Sequence, residues 1–463
     1  MTLTDEQIDP TAGPTGGAEA RRQTITDINA WLDGIDGGAR SALRALGELL
    51  TGIPEPVRDR AEDADRFTAR RLGVADCGHL LDEERSLSPV SRLTTAVALA
   101  EWIDQHEHGC EVGPGEHTHP PKWTQTEVGG QCYRHPLCLR VYFPAGTLLE
   151  ETGCVIGIEA RESIMHSPEV SAYVTPGAQD RARTVLDRLA DRANALNPYR
   201  GRAVRATYTH GLSLTVIDLP PTVTRDKVIV PDGVWAEIDL GVTAVRDHHD
   251  LLNAHGLGAR RGVLLCGPPG TGKSAVSAVI ASEVVGDFTV IYVEAKAGAQ
   301  LLTAVVEEAQ RLGGPVLLVL EDVDLWCQDR SAGGGGLSEL LQAMDVQPDA
   351  RILTLASTND AATLDKAAIR TGRFDSIVEV GYPNCPDAAR ILAALIGGLP
   401  GAQAVDTVAV VAALPAHTSG SDIREIVRRA VLAGDGGHVS TAALLAEVGS
   451  GRYRATVPEG MYL

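Results

Sequence analysis

The sequence predicts an α/β protein: a parallel sheet covered by helices, with a small helical lid, preceded by a helical segment and an α+β N-terminal domain. Three observations carry that reading. After about residue 231, short apolar runs (GVLLC, FTVIYV, PVLLVL, RILTLAS, DSIVEV) alternate with helical stretches. Near-continuous apolar strands of this kind belong to parallel sheets buried on both faces. Between the first run and its helix stands GPPGTGKS, a glycine-rich loop in the strand–loop–helix setting that phosphate binding requires. The chain then ends without strand signals, as a helical lid would.

In chain order, residues 1–20 are rich in Gly, Pro and Thr and read as a loose tail. Residues 21–107 read as helical. Ile28, Trp31, Leu32 and Ile35 recur at helical spacing, and Ser88-Pro89 reads as a cap and first helical residue. Residues 108–135 form a His- and Cys-rich loop. Residues 136–230 mix strands (LRVYF, CVIGIEA, VSAYV, LSLTVIDL) with the amphipathic helix AQDRARTVLDRLADRANAL. Pro220-Pro221 closes that domain, with a boundary near 226–232. The large α/β subdomain follows over 231–384, the lid over 385–450, and a tail over 451–463.

Bulk composition excludes several classes. A formal net charge of −20, from 41 basic and 61 acidic residues, disfavours nucleic acid and anionic membranes as partners. No apolar stretch approaches the roughly 20 residues of a membrane helix. The start, MTLTDEQIDPTAGPTGG, is unlike a signal peptide. The eight cysteines show no disulfide framework, so a reduced, cytoplasmic protein is expected.

The loop comprises Gly267, Pro268, Pro269, Gly270, Thr271, Gly272, Lys273 and Ser274. It fits the P-loop pattern completely, which makes the sheet that of a P-loop NTPase. Its glycines let backbone N–H groups wrap phosphates, and the next helix adds its positive end. Lys273 should reach the β- and γ-phosphates of ATP, and Ser274 should ligate Mg²⁺.

The run PVLLVL ends in Glu321-Asp322, with Asp324 two residues on. Acids at the carboxyl end of a buried parallel strand sit where ligands bind. By position, Glu321 belongs to the Mg²⁺ shell and Asp322 polarises the attacking water.

From about Val234 to Val448 the chain resembles the AAA ATPases. GPPGTGKS and the acid pair are joined by LTLASTND, which resembles the family's sensor strand with Asn359 at the sensor position. LDKAAIRTGRFD puts Arg370 and Arg373 on the family's arginine-finger positions. HTSGSDIREIVRRA resembles the lid helix, which implies Gly420 and Ser421 near adenine. EIDLG resembles the segment covering the other side of the base, with Asp239 and Gly241 matching. The resemblance implies ATP hydrolysis in a ring, most often a hexamer, because such fingers act on ATP held by a neighbouring subunit. It also implies that the N-terminal region chooses a protein substrate or adaptor.

Two departures from the family stand out. Its usual acid order, Asp then Glu, is reversed here. Where threading members carry an aromatic-hydrophobic-Gly pore loop, this chain has Lys296-Ala297-Gly298. Remodelling or disassembly of a protein partner is therefore favoured over threading, with an ATP-gated scaffold or switch of weak hydrolysis as the alternative. NPYRG and DLPPTVTRDKVIVPDGVW resemble bacterial AAA proteins whose N-terminal domain is uncharacterised.

One cluster stands apart. Cys110, His117, His119, Cys132, His135 and Cys138 could supply four ligands to one Zn²⁺, or belong to a polar loop.

Overall fold

The computed structural model describes residues 62–115, 120–161, 167–208, 212–220, 224–293, 298–324, 350–359, 374–434 and 437–454. The helices expected before residue 62, together with His117, His119, Lys296, Ala297, Arg370 and Arg373, lie outside them. The described elements begin with helix α1 (Ala64–Leu72), strand β1 (Leu81–Ser86) and helix α2 (Pro89–Gln105). Ser88 caps α2 through a reciprocal pairing with Ser91, and Pro89 opens the helix.

Strands β2 (Glu111–Gly113), β3 (Lys122–Val128), β4 (Gln131–Phe143), β5 (Cys154–Glu159) and β6 (Glu169–Val174) follow, then helix α3 (Gln179–Ala195). The six strands form an antiparallel sheet of order β1-β6-β5-β4-β2, with β3 also paired to β4. Helices α2 and α3 cover it through Leu99, Trp102, Val185, Leu186 and Leu189, packed with Val141, Ile156 and Ala172.

Two differences from the sequence reading have physical causes. The expected 108–135 loop is largely sheet: β3 and β4 are a hairpin turning at Gly129-Gly130, both with positive φ (57° and 77°). Its polar content reflects a half-exposed hairpin. Strand β1, LDEERS, lies within the expected helical segment. It pairs with β6 along its backbone while alternate side chains face solvent, so no apolar pattern marks it.

The second sheet contains β7 (Ala203–Tyr208), β8 (Leu212–Val216), β9 (Arg261–Cys266), β10 (Thr289–Val293), β11 (Val316–Leu320), β12 (Ile352–Thr358) and β13 (Ser376–Glu379). Its order is β13-β9-β12-β11-β10-β7-β8. All neighbours are parallel except the β7–β8 hairpin. Strand β8, expected within the 136–230 domain, and β7, not marked as a strand by the sequence pattern, extend this sheet at one edge. Strand polarity decides neighbourhood only through pairing, which the local pattern does not encode.

Helices α4 (Asp232–Arg246), α5 (His249–Ala254), α6 (Lys273–Val284) and α7 (Gly298–Arg311) flank the sheet. Strand β11 shows the two-sided burial: Leu317 and Val319 pack with Ile238 of α4 and Ile280 of α6. Val316, Leu318 and Leu320 pack with Leu302 and Val305 of α7 on the other face. Val90 and Leu93 of α2 join that second cluster. The lid comprises α8 (Cys385–Ile396), α9 (Thr407–Ala413), α10 (Gly420–Ala433) and α11 (Thr441–Ser450), around Leu392, Ile423, Ile426 and Leu444. Among the described residues, no helix is long and apolar enough to cross a membrane.

Candidate functional site

The phosphate loop joins β9 to α6, so the tip of a central strand feeds directly into a helix N-terminus. Gly270 (φ 78°) and Gly272 (φ 107°) adopt left-handed backbone that a side chain would strain. At Gly270 a Cβ would also collide with the Ser421 hydroxyl. Lys273 is buried, 6% exposed. Its ammonium donates to Gly267 O (2.7 Å), Pro268 O (2.9 Å) and Asn359 Oδ1 (2.8 Å). Burial pushes Lys273 below the ordinary lysine value, against the pull of Asp322 and Asp324.

Strand β11 delivers Glu321 and Asp322 beside this loop. Burial raises the Glu321 carboxyl and the charge of Asp322 adds to that, while a hydrogen bond with the Ser274 side chain opposes both. A hydroxyl and a carboxylate in direct contact beside a phosphate loop are suitable donors for Mg²⁺. Asp322 has φ 51°, rare for a residue with a side chain. This conformation turns its carboxylate onto the next strand tip, where Asn359 Nδ2 donates to Oδ1 at 3.0 Å. Asn359 therefore contacts Lys273 through its oxygen and Asp322 through its nitrogen.

Asp324, two residues beyond the acid pair and expected in capping or loop structure, has a fixing role. It is buried, 8% exposed, and its Oδ1 accepts from Thr358 Oγ1 and from Asn359 N, both at 3.1 Å. The third acid thus ties the end of β12 to the segment after β11, holding Asn359 in place. A third acid after an apolar strand is the only signal the sequence offers for it.

The lid closes on the same loop. Ser419 caps α10 in a reciprocal pair with Asp422, and Ser421 N donates to Gly270 O at 3.1 Å. Gly420 also lies against Gly270 O. The structure therefore brings Gly420 and Ser421 to the phosphate loop. The capping pattern Ser-x-x-Asp is the sequence signal for this helix start.

Asp239 and Gly241 are not brought there, contrary to the sequence expectation. Both lie inside the unbroken helix α4. Asp239 accepts a bidentate pair from Arg225 (2.6 and 2.8 Å), which also holds Glu283 near the far end of α6. Glu283 is ten residues from Lys273, or about 15 Å along a helix. Gly241 instead packs against the sheet: a Cβ there would meet Leu353 and Val263. The short pattern D-x-G arises here from helix packing. Val230, just before α4, is the residue near Gly272.

The zinc reading also needs correction. On the extended strand β4, Cys132 and Cys138 are six residues apart, about 20 Å, whereas Zn–S bonds are about 2.3 Å. His135 is buried with both ring nitrogens engaged, Nδ1 against Pro136 O (3.1 Å) and Nε2 against Thr126 Oγ1 (3.0 Å). The Cys110 thiol donates to Ile103 O. Among the described residues, no group of three or more His, Cys, Asp or Glu is placed to hold a metal.

Residues 263–382 match the family described as "ATPase family associated with various cellular activities (AAA)". The chain is 32% identical over 231 residues to the ATP-dependent zinc metalloprotease FtsH 4 of Sphaerobacter thermophilus, covering 46% of this chain and 34% of that protein. It is 32% identical over 259 residues to the ATP-dependent zinc metalloprotease FtsH of Acidothermus cellulolyticus, covering 51% and 38%. A putative ribosome biogenesis ATPase, nvl, of Dictyostelium discoideum is 29% identical over 230 residues, covering 45% and 26%. The chain thus spans only about a third of the length of the curated relatives it matches.

Proposed function

Because this chain belongs to the AAA family of ATPases, we propose that it binds and hydrolyses Mg-ATP in a ring, most simply a hexamer, to remodel or disassemble a protein partner. The observation that carries the hydrolytic part is the contact chain Lys273–Asn359–Asp322 beside the Ser274–Glu321 pair. It supplies a phosphate-binding cation, a water-orienting amide, a carboxylate base and two donors for Mg²⁺ within one strand-end cluster.

In this reading, the ammonium of Lys273 exchanges its loop carbonyls for phosphate oxygens. Loop N–H groups and the N-terminus of α6 bind the remaining negative charge. Ser274 and Glu321 would hold Mg²⁺, which would neutralise charge on the phosphates. The Asp322 carboxylate accepts a proton from the attacking water, and the Asn359 amide orients that water. The N–H donors and Lys273 stabilise the departing charge. Gly420 and Ser421 link the lid to the loop, so nucleotide binding can move the lid.

Arg370 and Arg373 are assigned as fingers toward a neighbouring subunit's ATP. The N-terminal sheet with α2 and α3 is assigned to partner choice, with no role for nucleic acid or membrane. A reducing, cytoplasmic setting is part of this reading. One feature favours an ATP-gated switch as the second reading: Asp322 is a methylene shorter than Glu and sits on a left-handed backbone, a conformation that costs free energy.

Mixing two inactive variants tests the ring. Lys273→Ala and Arg373→Ala chains should each hydrolyse poorly alone and regain partial activity together, because one mixed interface combines both intact halves. Normal hydrolysis by Arg373→Ala alone, or no recovery on mixing, would refute the shared site.

A further inference from the structure

A second cavity lies away from the phosphate loop, between α2 and α3, with a volume of about 240 Å³. Its floor is apolar, formed by Val170, Leu186 and Leu189. Two arginines from different layers line the cavity: Arg85 at the end of β1, and Arg311 in the last turn of α7. The polar residues Ser86, Ser91, Thr94, Thr95 and Asn194 also line it.

We propose that this cavity binds a small monocarboxylate with an apolar body, its carboxylate at the Arg85–Arg311 rim and its tail on the Leu186–Leu189 floor. An apolar concavity with a few convergent polar groups is the usual form of a small-molecule site. Arginine forks match a planar carboxylate in bidentate fashion. The volume sets the size: at about 30 Å³ per water in the liquid, it equals roughly eight waters. That suits a body about the size of hexanoate or benzoate.

Both cations have partners that leave donors over. Arg85 donates to Asp187 Oδ1 at 2.6 Å and to Arg183 O at 3.5 Å, but Asp187 is 59% exposed, and such surface pairs contribute little. Arg311 lies 3.6 Å from Glu308, whose carboxyl is buried, pushed upward by that burial and hydrogen-bonded by Ser88 Oγ at 2.8 Å. A ligand carboxylate at the rim would therefore meet cations whose charge is only partly satisfied. Because Arg311 belongs to a helix of the ATPase sheet while the floor belongs to the N-terminal layer, the site spans the two layers.

Titration calorimetry on the full chain with hexanoate, benzoate and the neutral 1-hexanol tests the proposal. Saturable binding of a carboxylate, with 1-hexanol at least tenfold weaker, is expected. Arg311→Gln, at a half-exposed position, should weaken carboxylate binding about ten- to a hundredfold, the scale of a lost charged hydrogen bond. Ala190→Phe should fill the cavity and abolish binding. No binding by either acid, equal binding of acid and alcohol, or full binding by Arg311→Gln or Ala190→Phe would overturn it.

Discussion

The side-chain amide of Asn359 donates to the carboxylate of Asp322 at 3.0 Å. The residue that follows β12 thereby touches a group delivered by β11, while its other amide atom touches Lys273. Such a bridge makes the state of the phosphate loop and the position of the proposed base depend on each other. It also separates the three acids after β11 by role, and the first prediction tests that separation.

Asp324 holds Asn359 through Oδ1, an atom that asparagine retains. Asp324→Asn should therefore keep substantial ATP turnover. Asp324→Ala leaves the Thr358 hydroxyl and the Asn359 N–H without their acceptor, a cost of about 1–3 kcal/mol, and should lose most turnover. Steady-state phosphate release distinguishes them; equal activity of the two variants would remove the positioning role.

Gly270 tests the contact between lid and loop. Alanine there needs a left-handed backbone, costing about 1–2 kcal/mol, and its Cβ meets the Ser421 hydroxyl. Gly270→Ala should weaken ATP affinity by about tenfold or more, since a cost of about 1.4 kcal/mol is already tenfold, while far-UV circular dichroism is unchanged. Wild-type affinity in a fluorescent-nucleotide titration would show that the lid contact does not matter.

Glu308 gives a pH dependence. Burial raises its carboxyl, against the Ser88 hydrogen bond and Arg311. The unfolded chain loses this proton at the ordinary carboxylate value, the folded chain only at higher pH. Its contribution to stability is therefore present below the ordinary value and lost as pH rises through the elevated one. Glu308→Gln keeps an acceptor for Ser88 but cannot ionise. Its Tm should exceed wild type at pH 7.5 by about 2 °C or more, the scale of about 1 kcal/mol, and match it near pH 4. A lower Tm at pH 7.5 would mean that the Arg311 pair outweighs burial.

Legibility in the sequence follows the range of the interactions. The phosphate loop and β11 are readable because a short contiguous stretch contains the whole device. Ser88 and Pro89 declare the start of α2 for the same reason. Strand β1 is hidden because backbone pairing with β6 holds it, and its side chains LDEERS carry no apolar alternation. The D-x-G match at Asp239 and Gly241 misleads because identical residues serve a helix: one carboxylate pairs with Arg225 and one missing Cβ admits Leu353. The Cys132–Cys138 spacing misleads because ligand geometry depends on whether the chain is coiled or extended. A structural role for Asp324 is readable from its place outside the acid pair, but its partners lie 34 and 35 positions away, which no local pattern encodes.

The most direct measurement is ATP turnover and Mg-ATP affinity of wild type beside Asp322→Asn. Asparagine keeps the size of Asp322 and removes the charge that would accept a proton. The expected result is measurable wild-type turnover, wild-type affinity in the variant, and turnover slower by about 100-fold or more, the low end for a positioned base. Turnover in Asp322→Asn equal to wild type would contradict the assignment of Asp322. Absence of turnover in the wild type, alone and with its partners, would contradict the hydrolytic function itself.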